Sequence, residues 1–307
     1  MMKITSFGEV LWDNFPNYKV LDGAPLNVLV RLSALGADCS LISRHGNDQD
    51  GEALLKQVQN TIATDLIQVD NQYPTSLVNV QLDKHGNASY DVVYPCAWDN
   101  IAATEAAKTR IAQSDAFIYG SLGVRDERSR QALNELLPHA KFKIFDANLR
   151  KPHYDVIHLR EMMNQADFIR LNDDELYEIA AALGSPYHGL EQHIHYLAEH
   201  TQTQHFCITL GGYGALYYRN GEIFAHHGYR VNVIDTVGAG DNFLFSRLYL
   251  PIPATQRTQR NACLCLCIRR DCRFTARRNP KNFHERYFDV YESAIMVFRL
   301  RFNFQAA

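Results

Sequence analysis

Up to about residue 235, apolar positions recur with two alternating periods. Short runs of β-branched and aromatic residues give way to longer segments with apolar side chains three and four apart. Residues 3–11 read as a strand. Residues 25–36 read as a helix, with Pro25 near its start and Gly36 at its stop. Residues 39–44 predict the next strand, and residues 50–60 an amphipathic helix with Ala53, Leu54 and Val58 on one face. Further strands are expected at Ala116–Gly120, Lys143–Asp146, 168–171 and 205–210, with helical patterns between them. Residues 217–218 and 223–225 flank Asn220-Gly221 and predict a hairpin, and residues 231–234 a last strand before a glycine loop. Repeated strand–helix–strand units predict an α/β fold. Its sheet is mostly parallel, with helices on both faces and ligands at the carboxyl ends of the strands.

Residues 76–94 break this rhythm. Two alternating runs, Ser-Leu-Val-Asn-Val-Gln-Leu and Ala-Ser-Tyr-Asp-Val-Val-Tyr, surround the polar Asp-Lys-His-Gly-Asn. An antiparallel hairpin inside a strand–helix chain predicts a small β element beside the main sheet, such as a lid.

Composition narrows the class. The 307 residues are 46% hydrophobic and 21% charged, as in an ordinary globular protein, and the formal net charge of -3 argues against a nucleic-acid partner. No stretch approaches the roughly 18–20 apolar residues of a membrane span, and the polar start 1–11 is no signal peptide, so a cytoplasmic location is expected. Cys39, Cys96 and Cys207 sit apart in apolar segments and read as buried reduced thiols. The average conceals a split. From Arg247 onward there are 11 Arg, 1 Lys and 4 acidic residues, no glycine follows Gly240, and four of the seven cysteines fall between Cys263 and Cys272. Their Cys-x-Cys-x-Cys spacing is not that of a zinc finger.

The densest chemistry lies in Asp235-Thr236-Val237-Gly238-Ala239-Gly240-Asp241. A strand ending there, two glycines and a new helix would aim successive N–H groups at an anion. No Lys-Ser/Thr follows the glycines, which excludes a Walker A loop, and the third glycine of a dinucleotide fingerprint is missing. Read alone, the string could be a glycine turn capped by an aspartate.

The whole string resembles the C-terminal signature of the PfkB (ribokinase-like) carbohydrate kinase family. Other segments follow in the family's order. Gly8-Glu9-Val10-Leu11-Trp12-Asp13, Asp22-Gly23-Ala24-Pro25-Leu26-Asn27, the segment 42–48, Ala97-Trp98-Asp99 and Asp146-Ala147-Asn148-Leu149-Arg150 resemble the fructokinase branch. Asn172-Asp173-Asp174-Glu175 and Thr209-Leu210-Gly211-Gly212-Tyr213-Gly214 are similar to family elements on the nucleotide side. A glycine is usual where Asp22 stands. Taken singly, Asp13 could be a solvated turn residue, Asn172 and Glu175 a capping box, Gly211 to Gly214 a plain turn, and Arg150 a surface ion pair.

The resemblance implies a three-layer ribokinase-like sandwich with a mostly parallel central sheet and a small β lid. A kinase domain would span 1–243, with lid elements near 10–24 and 76–98. It implies transfer of the ATP γ-phosphoryl group to a sugar, most of all fructose to fructose 6-phosphate. Asp241 would act as general base, with Gly238, Ala239 and Gly240 forming an anion hole. Asp13, Gly23, Asn27 and Arg150 would bind the sugar. Asn172, Glu175, Thr209, Gly211 and Gly214 would serve the nucleotide, with Glu175 reaching Mg²⁺ indirectly through phosphate. A monovalent-cation site and a homodimer through the lid also follow from the resemblance. Residues 244–307 depart from it, standing where the family has its C-terminal ATP-site helices. That tail has the character of an out-of-frame reading, so a catalytically impaired or merely sugar-binding member is the alternative.

Overall fold

A computed structural model describes residues 1–15, 17–82 and 88–227. The strand expected at 231–234, the Asp235–Asp241 string and the tail lie outside the described residues.

The chain opens with β1 (Lys3–Phe7), β2 (Leu11–Phe15), β3 (Tyr18–Asp22), α1 (Ala24–Ala34), β4 (Asp38–Gly46), α2 (Gln49–Val58) and β5 (Ile67–Asp70). The hairpin β6 (Ser76–Leu82) and β7 (Ala88–Val92) follows, then α3 (Glu105–Gln113), β8 (Ala116–Gly120), α4 (Glu127–Leu136) and β9 (Lys143–Asp146). After these come α5 (Val156–Gln165), β10 (Phe168–Asn172), α6 (Asp173–Ala182), α7 (Leu190–His200), β11 (His205–Thr209) and the hairpin β12 (Ala215–Arg219) and β13 (Glu222–His226).

The expected strand over 3–11 is two strands in two different sheets. Gly8 breaks it at φ +145°, a conformation that favours glycine, and a Cβ there would approach Pro25 Cγ to 2.9 Å. The β-branched and aromatic residues on both sides of Gly8 continue one period, so the pattern carried no sign of the break.

Among the described residues, nine strands form the main sheet in the order β13-β12-β11-β10-β9-β8-β1-β4-β5. The seven from β11 to β5 are parallel, and β12 and β13 add an antiparallel edge. The parallel strands are apolar on both faces because both faces are covered. Phe117, Tyr119, Phe145, Ile169 and Phe206 pack into one core with side chains of α3 to α7, among them Ala107, Leu133, Leu159, Leu176 and Leu197. Ile4, Leu41, Ile118, Ile144 and Phe168 face the other core, with Leu29 of α1 and Leu54 of α2. This is the three-layer α/β sandwich.

Helix starts are set locally. Asp48, Thr104, Asp126 and Asp155 each accept a backbone N–H in the first turn of the helix they cap. A separate four-stranded sheet, β3-β2-β6-β7, combines residues from both sides of α1. Its β6–β7 pairing is antiparallel, as the pattern at 76–94 predicts, while β2 and β6 run parallel. Cys39, Cys96 and Cys207 are buried, and burial pushes the Cys39 and Cys96 thiols up to about 12. Among the described residues no helix is long and apolar enough to cross a membrane.

Candidate active site

The order of the main sheet reverses at β1. Successive strands run outward through β4 and β5 on one side and through β8, β9, β10 and β11 on the other. A crevice at the carboxyl ends of strands opens at such a reversal. Here it is lined by Glu9, Pro25, Gly120, Ser121, Asp146 and Asn148. The loops after β1 and β8 touch there, since a Cβ on Gly123 would lie 2.5 Å from Gly8 Cα.

One half of the site comes from the small sheet and α1. Asp13 lies on β2 and is 8% exposed, so it is not a solvated turn residue. Burial chiefly, and Asp22 next, push its carboxyl up to about 7, against the opposing pull of Arg150. Asn27 Nδ2 donates to Asp22 Oδ1 at 2.6 Å. Gly23 is the residue before α1, at φ +135°, and a Cβ there would lie 2.6 Å from the Glu9 carbonyl oxygen. Asn27 N–H donates to the Gly23 carbonyl at 2.9 Å, seating the first turn of α1 against this loop. Arg150 is exposed, and its Nη1 donates to the Leu149 carbonyl. Asp13, Gly23, Asn27 and Arg150 are thus brought into one neighbourhood, and Asp22 joins them.

The other half lies at the ends of β9, β10 and β11. Arg170 Nη1 meets Asp146 Oδ1 at 2.9 Å, both side chains 6% exposed, and Arg170 Nη2 reaches Thr209 Oγ1 at 3.4 Å. Asn172 and Glu175 form a capping box on α6: Glu175 N–H donates to Asn172 Oδ1 and Asn172 N–H to Glu175 Oε2, both at 2.7 Å. The second Glu175 oxygen accepts Leu149 N–H at 2.9 Å, tying α6 to the loop that carries Arg150. Burial pushes the Glu175 carboxyl up, with Arg170 pulling against it. Gly211 and Gly214 bracket the turn between β11 and β12; a Cβ on Gly211 or Gly212 would meet nothing within 4 Å. Asp241, Gly238, Ala239 and Gly240 lie outside the described residues.

A third cluster joins the small sheet to the body. Arg125 pairs through two nitrogens with Asp99, at 2.7 and 2.9 Å, and lies 4.1 Å from the centre of the Trp98 ring. It also donates to the Val93 carbonyl just past β7, at 2.7 Å. Sequence reading singled out neither Arg125 nor Arg170. A lone arginine inside the apolar run Phe-Ile-Arg-Leu-Asn was a usable signal, because a charge in a buried strand needs a partner.

Residues 19–244 match the family described as pfkB family carbohydrate kinase. The chain belongs to the pfkB family of carbohydrate kinases. It is 27% identical over 265 residues to a probable fructokinase-5 of Arabidopsis thaliana, covering 78% of this chain and 80% of that one. Two solved structures share the fold. A sugar kinase of Pyrococcus horikoshii in complex with ATP aligns with TM-score 0.76 at 24% identity, over 90% of this chain and 93% of the other. A fructokinase of Vibrio cholerae in a fructose-, ADP- and calcium-bound form aligns with TM-score 0.75 at 20% identity, over 89% and 93%.

Proposed function

We propose that this pfkB family member transfers the γ-phosphoryl group of ATP to a hydroxyl of a small neutral sugar, converting fructose to fructose 6-phosphate. The observation that carries the acceptor side is Asp13, a buried carboxylate within electrostatic reach of Arg150 and of Asp22, which Asn27 holds. A buried acid without a tight cationic partner among the described residues is suited to a polyhydroxylated ligand, whose hydroxyls can donate to it. The fructokinase names of the relatives support the choice of sugar, and the ATP complex of the Pyrococcus protein the choice of donor.

In this reading Asp13, Gly23, Asn27 and Arg150 hold the sugar, and Asp241 takes the proton of the attacking hydroxyl. The N–H groups of Gly238, Ala239 and Gly240 receive the charge on the phosphoryl oxygens. The open backbone at Gly211 and Gly212 leaves space for a nucleotide beside Thr209 and Gly214. Both Glu175 oxygens already accept backbone N–H groups, so Glu175 acts behind the phosphates, fixing the Arg150 loop and the start of α6. Magnesium bound with ATP supplies charge neutralisation on the phosphates. The sheet of β2, β3, β6 and β7 serves as a lid that excludes water, and as the face for a homodimer.

A coupled assay of sugar-dependent ADP formation over a panel of sugars tests this, with fructose expected to turn over fastest. Asp241→Asn should remove most turnover and leave sugar binding intact; near-normal turnover in that variant would sink the assignment. A second reading has one observation in its favour. The family match stops at residue 244, beside the last glycine and the switch from acidic to basic composition. A chain that binds fructose but forms no ADP would be a sugar-binding member without a competent nucleotide half.

A further inference from the structure

A second carboxylate, Asp22, stands beside Asp13 on the small sheet. On the β2–β3 ladder, Leu11 faces Asp22 and Asp13 faces Val20. Residues directly opposite share a sheet face, and positions two apart on one strand share it too. Asp13 and Asp22 are therefore diagonal neighbours on one face. Asp22 is held there by Asn27 Nδ2, at 2.6 Å. Among the described residues, Arg150 is the one cation that opposes the two acids at Asp13, and it is exposed and also bonded to its own loop. The described charges around Asp13 sum to a negative value whenever both acids are ionised.

Resting on the sugar-kinase reading above, we propose that Asp22 is a specificity-determining residue: its charge beside Asp13 admits neutral sugars and rejects sugar acids of the same size. An anionic acceptor would bring a third negative charge against a single guanidinium. One unit charge acting across several ångströms of a partly solvated pocket changes an affinity by about tenfold. A neutral ketose meets no such penalty, and its hydroxyls can donate to either carboxylate. The amide of Asn27 is oriented by the same contact, so Asp22 also sets how that side chain meets the sugar.

Binding of fructose and of gluconate to the full chain, without nucleotide, at pH 8, tests this by calorimetry. The unmodified chain should hold fructose at least about tenfold more tightly than gluconate. Asp22→Asn keeps the size and an acceptor for Asn27, and should shrink that ratio about tenfold, chiefly by strengthening gluconate. Asp22→Gly, which removes the side chain, should shrink it as well and guards against misfolding of the first variant. Raising the salt concentration should narrow the ratio in the unmodified chain and leave it unchanged in Asp22→Asn. Fructose binding intact with an unchanged ratio in both variants overturns the role of Asp22 and spares the sugar-kinase reading. Binding of neither sugar overturns both.

Discussion

The two halves of the site handle charge in opposite ways. At the ends of β9 to β11, the two buried acids have identified partners: Asp146 meets Arg170, and Glu175 accepts two backbone N–H groups. On the small sheet, Asp13 is also buried but has no ion-pair partner among the described residues, and a second acid beside it helps burial push its carboxyl up to about 7. The first half is finished by folding alone. The second keeps an unbalanced charge that a ligand can relieve. Paired buried ions hold a geometry; an unbalanced one stores a preference for whatever comes to satisfy it.

The largest effect should come from breaking the finished half. Arg170→Met leaves Asp146 charged and buried, and should cost about 3–5 kcal/mol in urea unfolding. Adding Asp146→Leu should recover much of that loss. A single variant as stable as the parent would mean that this pair holds nothing.

Asp13→Asn should have the opposite sign. The folded chain binds its Asp13 proton more tightly than the unfolded chain, whose ordinary value is 3.8. Asp13 therefore costs no stability below pH 3.8. Its destabilising effect grows as pH rises toward about 7 and is complete above it. The variant should be more stable than the parent at pH 8, by about 2 kcal/mol once the burial of the amide is counted, and should lose that advantage as pH falls toward 3.8. Fructose binding should fall in the same variant. Thermal unfolding across pH checks the first outcome and calorimetry the second; a gain in stability at every pH would break the contrast between the halves.

Arg125→Lys should be the mildest. The charge stays, but the two-nitrogen grip on Asp99 and the stack over Trp98 are lost, at a cost of about 1–2 kcal/mol. Because Arg125 also holds Val93, weakened fructose binding should exceed what the stability loss explains. Binding unchanged within error would confine Arg125 to the body of the protein.

What could be read from the chain follows the range of the interaction. Ala116–Gly120 and Lys143–Asp146 form over the residues their apolar runs predict, because each buries both faces of one short segment. The hairpin at 76–94 was legible from alternation around a polar turn. The Asn172–Glu175 box was legible too, since both partners lie within one turn. Asp146 and Arg170 sit 24 positions apart and meet only through strand order. Asp22 gains its meaning from a diagonal across a ladder whose register the sequence does not spell. The break at Gly8 was hidden because strand-forming residues continue on both sides of it.

The contact of Gly8 with Gly123 has a consequence for how such a protein can change. At that seam a methyl group on Gly123 would lie 2.5 Å from the Gly8 backbone, so any larger residue there must push the loops after β1 and β8 apart. Variation there is all or nothing. The neighbouring strands β2 and β3 carry their acids on side chains, which can be exchanged one at a time. If the small sheet holds the acceptor as proposed, change in what this kinase accepts is channelled away from the seam and onto that sheet, where a single codon is enough.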